Sequence, residues 1–233
     1  ILSVFYATQK KGYPDRMNKK ISSFLKKYNH IWTLFYVAIY MPWFVWLEKT
    51  VTTDFYLVSM PIDYEIPFCE YFIIPYFMWF LFVPAIVGYE FFYSKKEYYQ
   101  CCAYLFSGMT IFLIICTVWH NGLNLRQDIS YRDNFCAKLV QMLYTTDTST
   151  NVFPSLHVFN TLGCLVALYT SKGIKKKTWI KVPATIIGIL IILSTMFLKQ
   201  HSVWDVIGAF VLAGILYPIV YAIPWGRHKK QAL

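Results

Sequence analysis

The chain has 233 residues, of which 57% are hydrophobic, 20% aromatic and 15% charged, with a formal net charge of +10. A soluble domain carries about 45–50% apolar and about 25% charged residues, so this balance points to a protein dissolved in lipid. It excludes a disordered chain, a collagen-like fibre and a small disulfide-stapled domain. No charged stub followed by a short apolar run and a small-residue cleavage site opens the sequence, so no signal peptide is expected.

A spanning helix needs about 20 mostly apolar residues. Six segments approach this in chain order: Ile31 to Leu47, Tyr71 to Tyr89, Cys101 to Trp119, the shorter Ser155 to Thr170, Val182 to Leu198, and Ser202 to Trp225. The last holds one acid, Asp205. Prolines within the runs (Pro42, Pro75, Pro84, Pro218 and Pro224) are tolerated where neighbouring helices re-satisfy the freed backbone groups. The expected fold class is therefore all-α, a polytopic bundle of six transmembrane helices. Residues 1–30 read as a basic cytoplasmic or interfacial segment, 31–226 as the membrane domain and 227–233 as a basic tail. Met17 to Tyr28 and Phe135 to Tyr144 have the spacing of surface-lying amphipathic segments.

The basic residues predict the orientation. Seventeen of the 22 Lys and Arg lie before the first span, in the second-to-third and fourth-to-fifth loops, or in the tail. The opposite side keeps Lys49, Arg126, Arg132, Lys138 and Lys199 alongside seven acids, including Asp63, Asp128 and Asp147. Cytoplasmic loops are enriched in Lys and Arg, so both termini are expected inside and the acidic loops outside, at the plasma membrane. The same placement accounts for the positive charge through anionic lipid headgroups, and nucleic acid is set aside as a partner. None of the six cysteines forms a C-x-x-C pair, and a Cys69–Cys136 disulfide has no spacing to support it.

Three polar constellations fall on the outward side. Asn151-Val-Phe-Pro154-Ser155-Leu-His157 reads as the start of the fourth span, because proline suits a helix's first turn. Free amides and a positive dipole end there suit a phosphate, Ser155 adds a hydroxyl, and His157 is a group able to act as acid or base. In Lys199-Gln-His201-Ser-Val-Trp-Asp205, the histidine and the acid are four apart and share a helical face. A carboxylate beside an imidazole fixes its tautomer and stabilises positive charge on it, which is what a nucleophilic histidine needs. The bland alternative is a buried polar pair that only locks helices together. Arg126, in Asn124-Leu-Arg-Gln127, offers a fork matched to phosphate oxygens or, equally, an arginine at headgroup level.

These motifs resemble the type 2 phosphatidic acid phosphatase superfamily of membrane lipid phosphatases and phosphotransferases. Its Pro-Ser-x-His motif matches Pro154-Ser155-Leu156-His157, and its third motif matches His201 and Asp205, with Ser194 at the serine position. Ile62 to Phe68 is similar to a loop of some bacterial members. Two of the family's cations are missing: Trp119 and Thr195 stand in their places, Gln127 replaces a proline, and Lys199 lies near His201. The resemblance implies that His201 attacks phosphorus, Asp205 orients it, His157 is the acid and base, and Arg126, Lys199 and Ser155 hold phosphate oxygens. It implies a phosphorylated membrane lipid as substrate, the bilayer as surroundings, and no cofactor or metal. Three other readings stay open: a phosphotransferase like the inositol phosphorylceramide synthases, a non-catalytic lipid-binding or transport bundle, and a zinc site built on His120, His157, His201 and Asp205.

Overall fold

The computed structural model describes residues 22–23 and 26–223. The tail at 227–233 and most of the Met17–Tyr28 segment lie outside the described residues. The chain divides into two compact units, residues 1–37 and 38–233. In the first, a 3₁₀ turn spans Asn29–Leu34, and Thr33 donates its hydroxyl to the His30 carbonyl at 3.1 Å.

Among the described residues eight α-helices follow: α1 (Phe35–Thr50), α2 (Pro61–Glu65), α3 (Ile73–Tyr93), α4 (Lys95–Val118), α5 (Phe135–Thr146), α6 (Leu156–Thr170), α7 (Thr178–Phe197) and α8 (Val203–Tyr217). A 3₁₀ turn at Glu70–Phe72 leads into α3, and a π-helical turn at Pro218–Ala222 extends α8. Two-residue strands β1 (Tyr56–Leu57) and β2 (Asn121–Gly122) pair in parallel and tie the loop after α1 to the loop after α4. Gly122 is required there, because a Cβ would stand 2.6 Å from the Phe55 ring and 2.9 Å from the Ser149 carbonyl oxygen.

The all-α membrane-type bundle is as expected. Among the described residues, five helices are long and apolar enough to cross a membrane: 29–50, 70–93, 95–118, 178–197 and 203–222. The fourth expected span is α6, an apolar helix of only 15 residues. It packs against α3, α4, α7 and α8, so it forms the centre of the bundle. Its sequence suits that place: Val158, Phe159, Cys164, Ala167 and Leu168 are buried in one apolar core, and Gly163 between them is buried too. Small residues let the neighbours approach closely, as is usual between membrane helices. A Cβ on Gly108 of α4 would meet the Phe159 ring at 2.1 Å.

The helix starts at α6 and α8 are set by local chemistry. Ser155, with extended backbone, caps α6 by accepting from the Val158 amide. Pro154 therefore sits just before the cap rather than inside the first turn. Ser202 and Asp205 form a capping box at the start of α8. The Phe135–Tyr144 segment is a helix, α5, whose Cys136, Ala137, Val140 and Leu143 are buried while Phe135 and Met142 are exposed. All six cysteines, Cys69 and Cys136 included, are free thiols.

Candidate active site

The N-terminal ends of α3, α6 and α8 and the C-terminal end of α7 meet at one end of the bundle, and the polar motifs meet with them. The Ser155 amide donates to the Asp205 carbonyl at 3.1 Å, which joins the second motif to the third. The imidazoles of His157 and His201 lie 5.9 Å apart, centroid to centroid. His201 Nδ1 faces Asp205 Oδ2 at 3.3 Å, the long end of the hydrogen-bond range. With Nδ1 so engaged, Nε2 is the nitrogen left for other chemistry.

Asp205 is fully buried, and its Oδ2 also accepts the Ser202 amide at 2.9 Å. One carboxylate thus caps α8 and holds the imidazole, so helix and histidine are aligned by the same atom. Its Oδ1 has no hydrogen-bond partner among the described residues. His157 is enclosed by rings: Tyr76 stacks on it at 4.6 Å, Trp79 lies at 4.6 Å, and Phe80 meets it edge-on at 6.5 Å. Its Nε2 is shut from solvent without a partner among the described residues. In such a dry setting an electrostatic contact is stronger than in water.

The expected phosphate-binding side chains sit differently. Arg126 donates Nη1 to the carbonyls of Tyr144 at 3.1 Å and Asp147 at 2.9 Å. Its Nη2 donates to Thr148 O at 2.8 Å and Gln200 Oε1 at 2.9 Å, and its guanidinium lies 4.8 Å from the Tyr144 ring centroid. Burial pulls Arg126 below the ordinary arginine pKa, with Asp147 opposing. Four of its five N–H donors are thereby spent on protein acceptors; Nε, also buried, has none among the described residues. Arg126 is a staple between the end of α5 and the residue before His201.

Lys199 is 3% exposed and donates Nζ to the carbonyls of Asp63 and Ile66. Burial lowers its pKa, and Asp63 opposes the shift. Its backbone has φ 55°, a left-handed conformation uncommon outside glycine, which turns the chain sharply from α7 into α8. The Ser155 hydroxyl caps α6. So the three side chains expected to grip phosphate serve the frame around the histidines. Serine and threonine at the family's third motif are also spent: Ser194 and Thr195 donate their hydroxyls to Ile191 and Ile192 carbonyls. Trp119 meets the Phe153 ring edge-on. His120 does not join the histidine pair; its carbonyl accepts the Tyr56 amide beside the strand pair.

Asp63 is the residue that sequence reasoning missed. It is 2% exposed. Its Oδ2 accepts the Met60 amide and the Ser202 hydroxyl, each at 2.6 Å, and its Oδ1 accepts the Val203 amide at 2.8 Å. Asp63 therefore clamps the start of α8 from α2, while its own carbonyl holds Lys199. Glu48 was missed too. It accepts Thr148 Oγ1 at 2.5 Å and Asn151 Nδ2 at 3.0 Å, fixing the loop that enters α6. Burial raises the Asp147 pKa, with Glu48 adding to the shift and Arg126 and His201 opposing it.

If Arg126 is a staple, Arg126→Lys is expected to lower the thermal unfolding midpoint of the detergent-solubilised chain almost as far as Arg126→Ala. A single ammonium does not reproduce the planar fork. Recovery of the parent midpoint by lysine would show that charge alone is needed.

The chain is thus an all-α membrane-type bundle that presents two imidazoles and a buried carboxylate at one end. Residues 133–229 match the family model of the PAP2 superfamily. The match contains His157, His201 and Asp205 and leaves out Arg126. Members of the superfamily are phosphatases or related phosphotransferases, which supports phosphoryl-transfer chemistry here. No curated protein and no solved structure matches the chain.

Proposed function

We propose that the chain is an integral membrane lipid phosphatase that works through a phosphohistidine. The carrying observation is the His201–Asp205 pair set opposite His157, with 5.9 Å between imidazole centroids. Reacting atoms need to approach to about 3–3.5 Å, and a phosphoryl group between the rings is within such reach of both.

His201 Nε2 attacks phosphorus while Nδ1 stays on Asp205, which offsets the positive charge that develops on the ring. The N–P bond forms as the bond from phosphorus to the lipid oxygen breaks, and protonated His157 gives its proton to the departing alkoxide. Water then loses a proton to His157 and attacks phosphorus; the N–P bond breaks and phosphate leaves. A helix start leaves its first amides without intrahelical partners, so the start of α6, at Leu156 and His157, favours an anion. Arg126, Lys199 and Ser155 act by holding the frame, with at most one N–H of each cation left to face phosphate. The active site faces outward and both termini are cytoplasmic, as the split of basic residues favours.

One observation favours transfer to an acceptor alcohol as a second reading. A cavity of about 600 Å³ is walled by Thr52, Thr53, Asn124, Thr148, Ser149 and Thr150. Val51, Phe55, Leu57 and Leu123 complete a lining that is half hydroxyl and amide, half apolar, with no ionised group; this suits an acceptor alcohol with an apolar part, and the Thr148 carbonyl links the cavity to the Arg126 staple.

The test is phosphate release by the purified chain from a panel of lipid phosphomonoesters and polyprenyl pyrophosphates, with and without added alcohols. Release in water alone supports hydrolysis. Product formed only with an added alcohol supports transfer. No turnover of any lipid under either condition defeats both enzyme readings.

A further inference from the structure

At the far end of α3 from the histidines lies a second built polar site. Tyr76 and Glu90 are 14 residues apart on one helix, which at 1.5 Å per residue is about 21 Å. Glu90 is 0% exposed, and among the described residues neither carboxylate oxygen has a hydrogen-bond donor. It lines a cavity of about 390 Å³ with Glu97, Lys96, Lys172, Tyr93 and Tyr221. The Tyr221 hydroxyl is likewise buried without a partner among the described residues. Glu97, by contrast, is engaged: its Oε2 accepts the Ser171 hydroxyl at 2.8 Å and the Lys172 amide at 3.3 Å.

A buried carboxylate with two open oxygens is costly unless a cation or donor meets it. Among the described residues no donor is bonded to it, although the Tyr221 hydroxyl, Gln100 and Thr170 share the cavity, and Lys96 and Lys172 stand on its wall with their residues exposed. The cavity thus has an acidic floor, hydroxylated aromatic sides and a mouth where Lys96 and Lys172 outnumber Glu97. That order matches a molecule whose ammonium goes in first and whose phosphate follows. The location fits as well. Phe92, Tyr93, Tyr99 and Trp179 are exposed at this end, beside Lys95 and Lys96. Aromatic side chains and lysines of this kind mark the headgroup level of a bilayer.

We infer that this cavity binds the headgroup of a zwitterionic aminophospholipid, its ammonium on Glu90 and its phosphodiester at Lys96 and Lys172. The site is separate from the histidines and does not depend on the function proposed for them. A charge-assisted hydrogen bond in a desolvated site is among the stronger polar contacts, so losing it weakens binding about tenfold or more.

The experiment uses the full chain purified in non-ionic detergent. Lipid retention is read by native mass spectrometry and by the thermal unfolding midpoint. The probes are phosphatidylethanolamine, phosphatidylglycerol, which keeps the phosphodiester without the ammonium, and soluble phosphoethanolamine. Phosphatidylethanolamine is expected to be retained and to raise the midpoint, and Glu90→Gln to weaken its retention about tenfold or more while phosphatidylglycerol is unchanged. Glu90→Gln is nearly isosteric, so it is expected to fold. Lys96→Ala with Lys172→Ala, both exposed positions, is expected to reduce phosphatidylethanolamine retention independently. Equal retention of the two lipids by the parent, or parent-like retention by Glu90→Gln, overturns the inference. Soluble phosphoethanolamine binding as tightly as the lipid overturns the lipid as the source of the headgroup.

Discussion

Replacing His201 with alanine is expected to stop phosphate release, a fall of about 10⁴-fold or more, since the attacking atom is gone. Asp205→Asn is expected to come close to it. Its amide cannot hold the imidazole in the tautomer that leaves Nε2 free, and loss of a comparable orienting carboxylate costs about 10⁴ in rate. Here the effect has a second root, because Oδ2 of Asp205 also caps α8 at the Ser202 amide. His157→Ala separates the two histidines. It keeps the nucleophile, so with a good leaving group the enzyme is expected to accumulate a phosphohistidine that turns over poorly. The check is a phosphoenzyme stable to base and labile to acid, present in His157→Ala and absent in His201→Ala. Undiminished turnover by purified His201→Ala would end the mechanism.

The second large effect is expected from Asp63, although it touches neither histidine. Asp63→Ala strands the Met60 amide, the Ser202 hydroxyl and the Val203 amide, all partly or wholly shut from water. Leaving such donors unpaired costs about 1–3 kcal/mol each before relaxation, so a net loss of about 3 kcal/mol is expected. It also frees the start of α8, which carries Asp205 and follows His201. A displacement of about 1 Å in a reacting group can cost about 10²-fold in rate. Thermal unfolding and turnover are therefore expected to fall together in Asp63→Ala, and to recover in part in Asp63→Asn, which keeps one acceptor oxygen. Glu65→Ala, two residues on and exposed, is the control expected to change neither. Normal turnover by Asp63→Ala would show that α8 needs no clamp from α2.

Much of this protein is readable along the chain because its causes are local. Lipid solvation demands long uncharged helices, so the apolar runs of α1, α3, α4, α7 and α8 announce themselves, and only their ends shift by a few residues. The start of α6 is marked by Pro154 and Ser155, since an extended residue and a hydroxyl cap are local requirements. The i, i+4 spacing of His201 and Asp205 places both on one face by helical geometry alone. The Ser202-Val-Trp-Asp205 capping box carried a local signal too, and it would have shown that Asp205 serves the helix as well as the histidine.

What only the tertiary structure decided is where each cation spends its hydrogen bonds. Near a histidine motif, Arg126 and Lys199 read as phosphate ligands, because a sequence shows charge and not the competing acceptors. Folding brings Gln200 and the carbonyls of Tyr144, Asp147 and Thr148 to Arg126, and those of Asp63 and Ile66 to Lys199. Buried donors must be satisfied, and the nearest acceptors are backbone groups contributed by distant segments. Asp63 was hidden for the same reason: it caps a helix 139 residues away. Caps made within one helix follow sequence spacing, whereas caps made across the bundle appear only once the helices are packed.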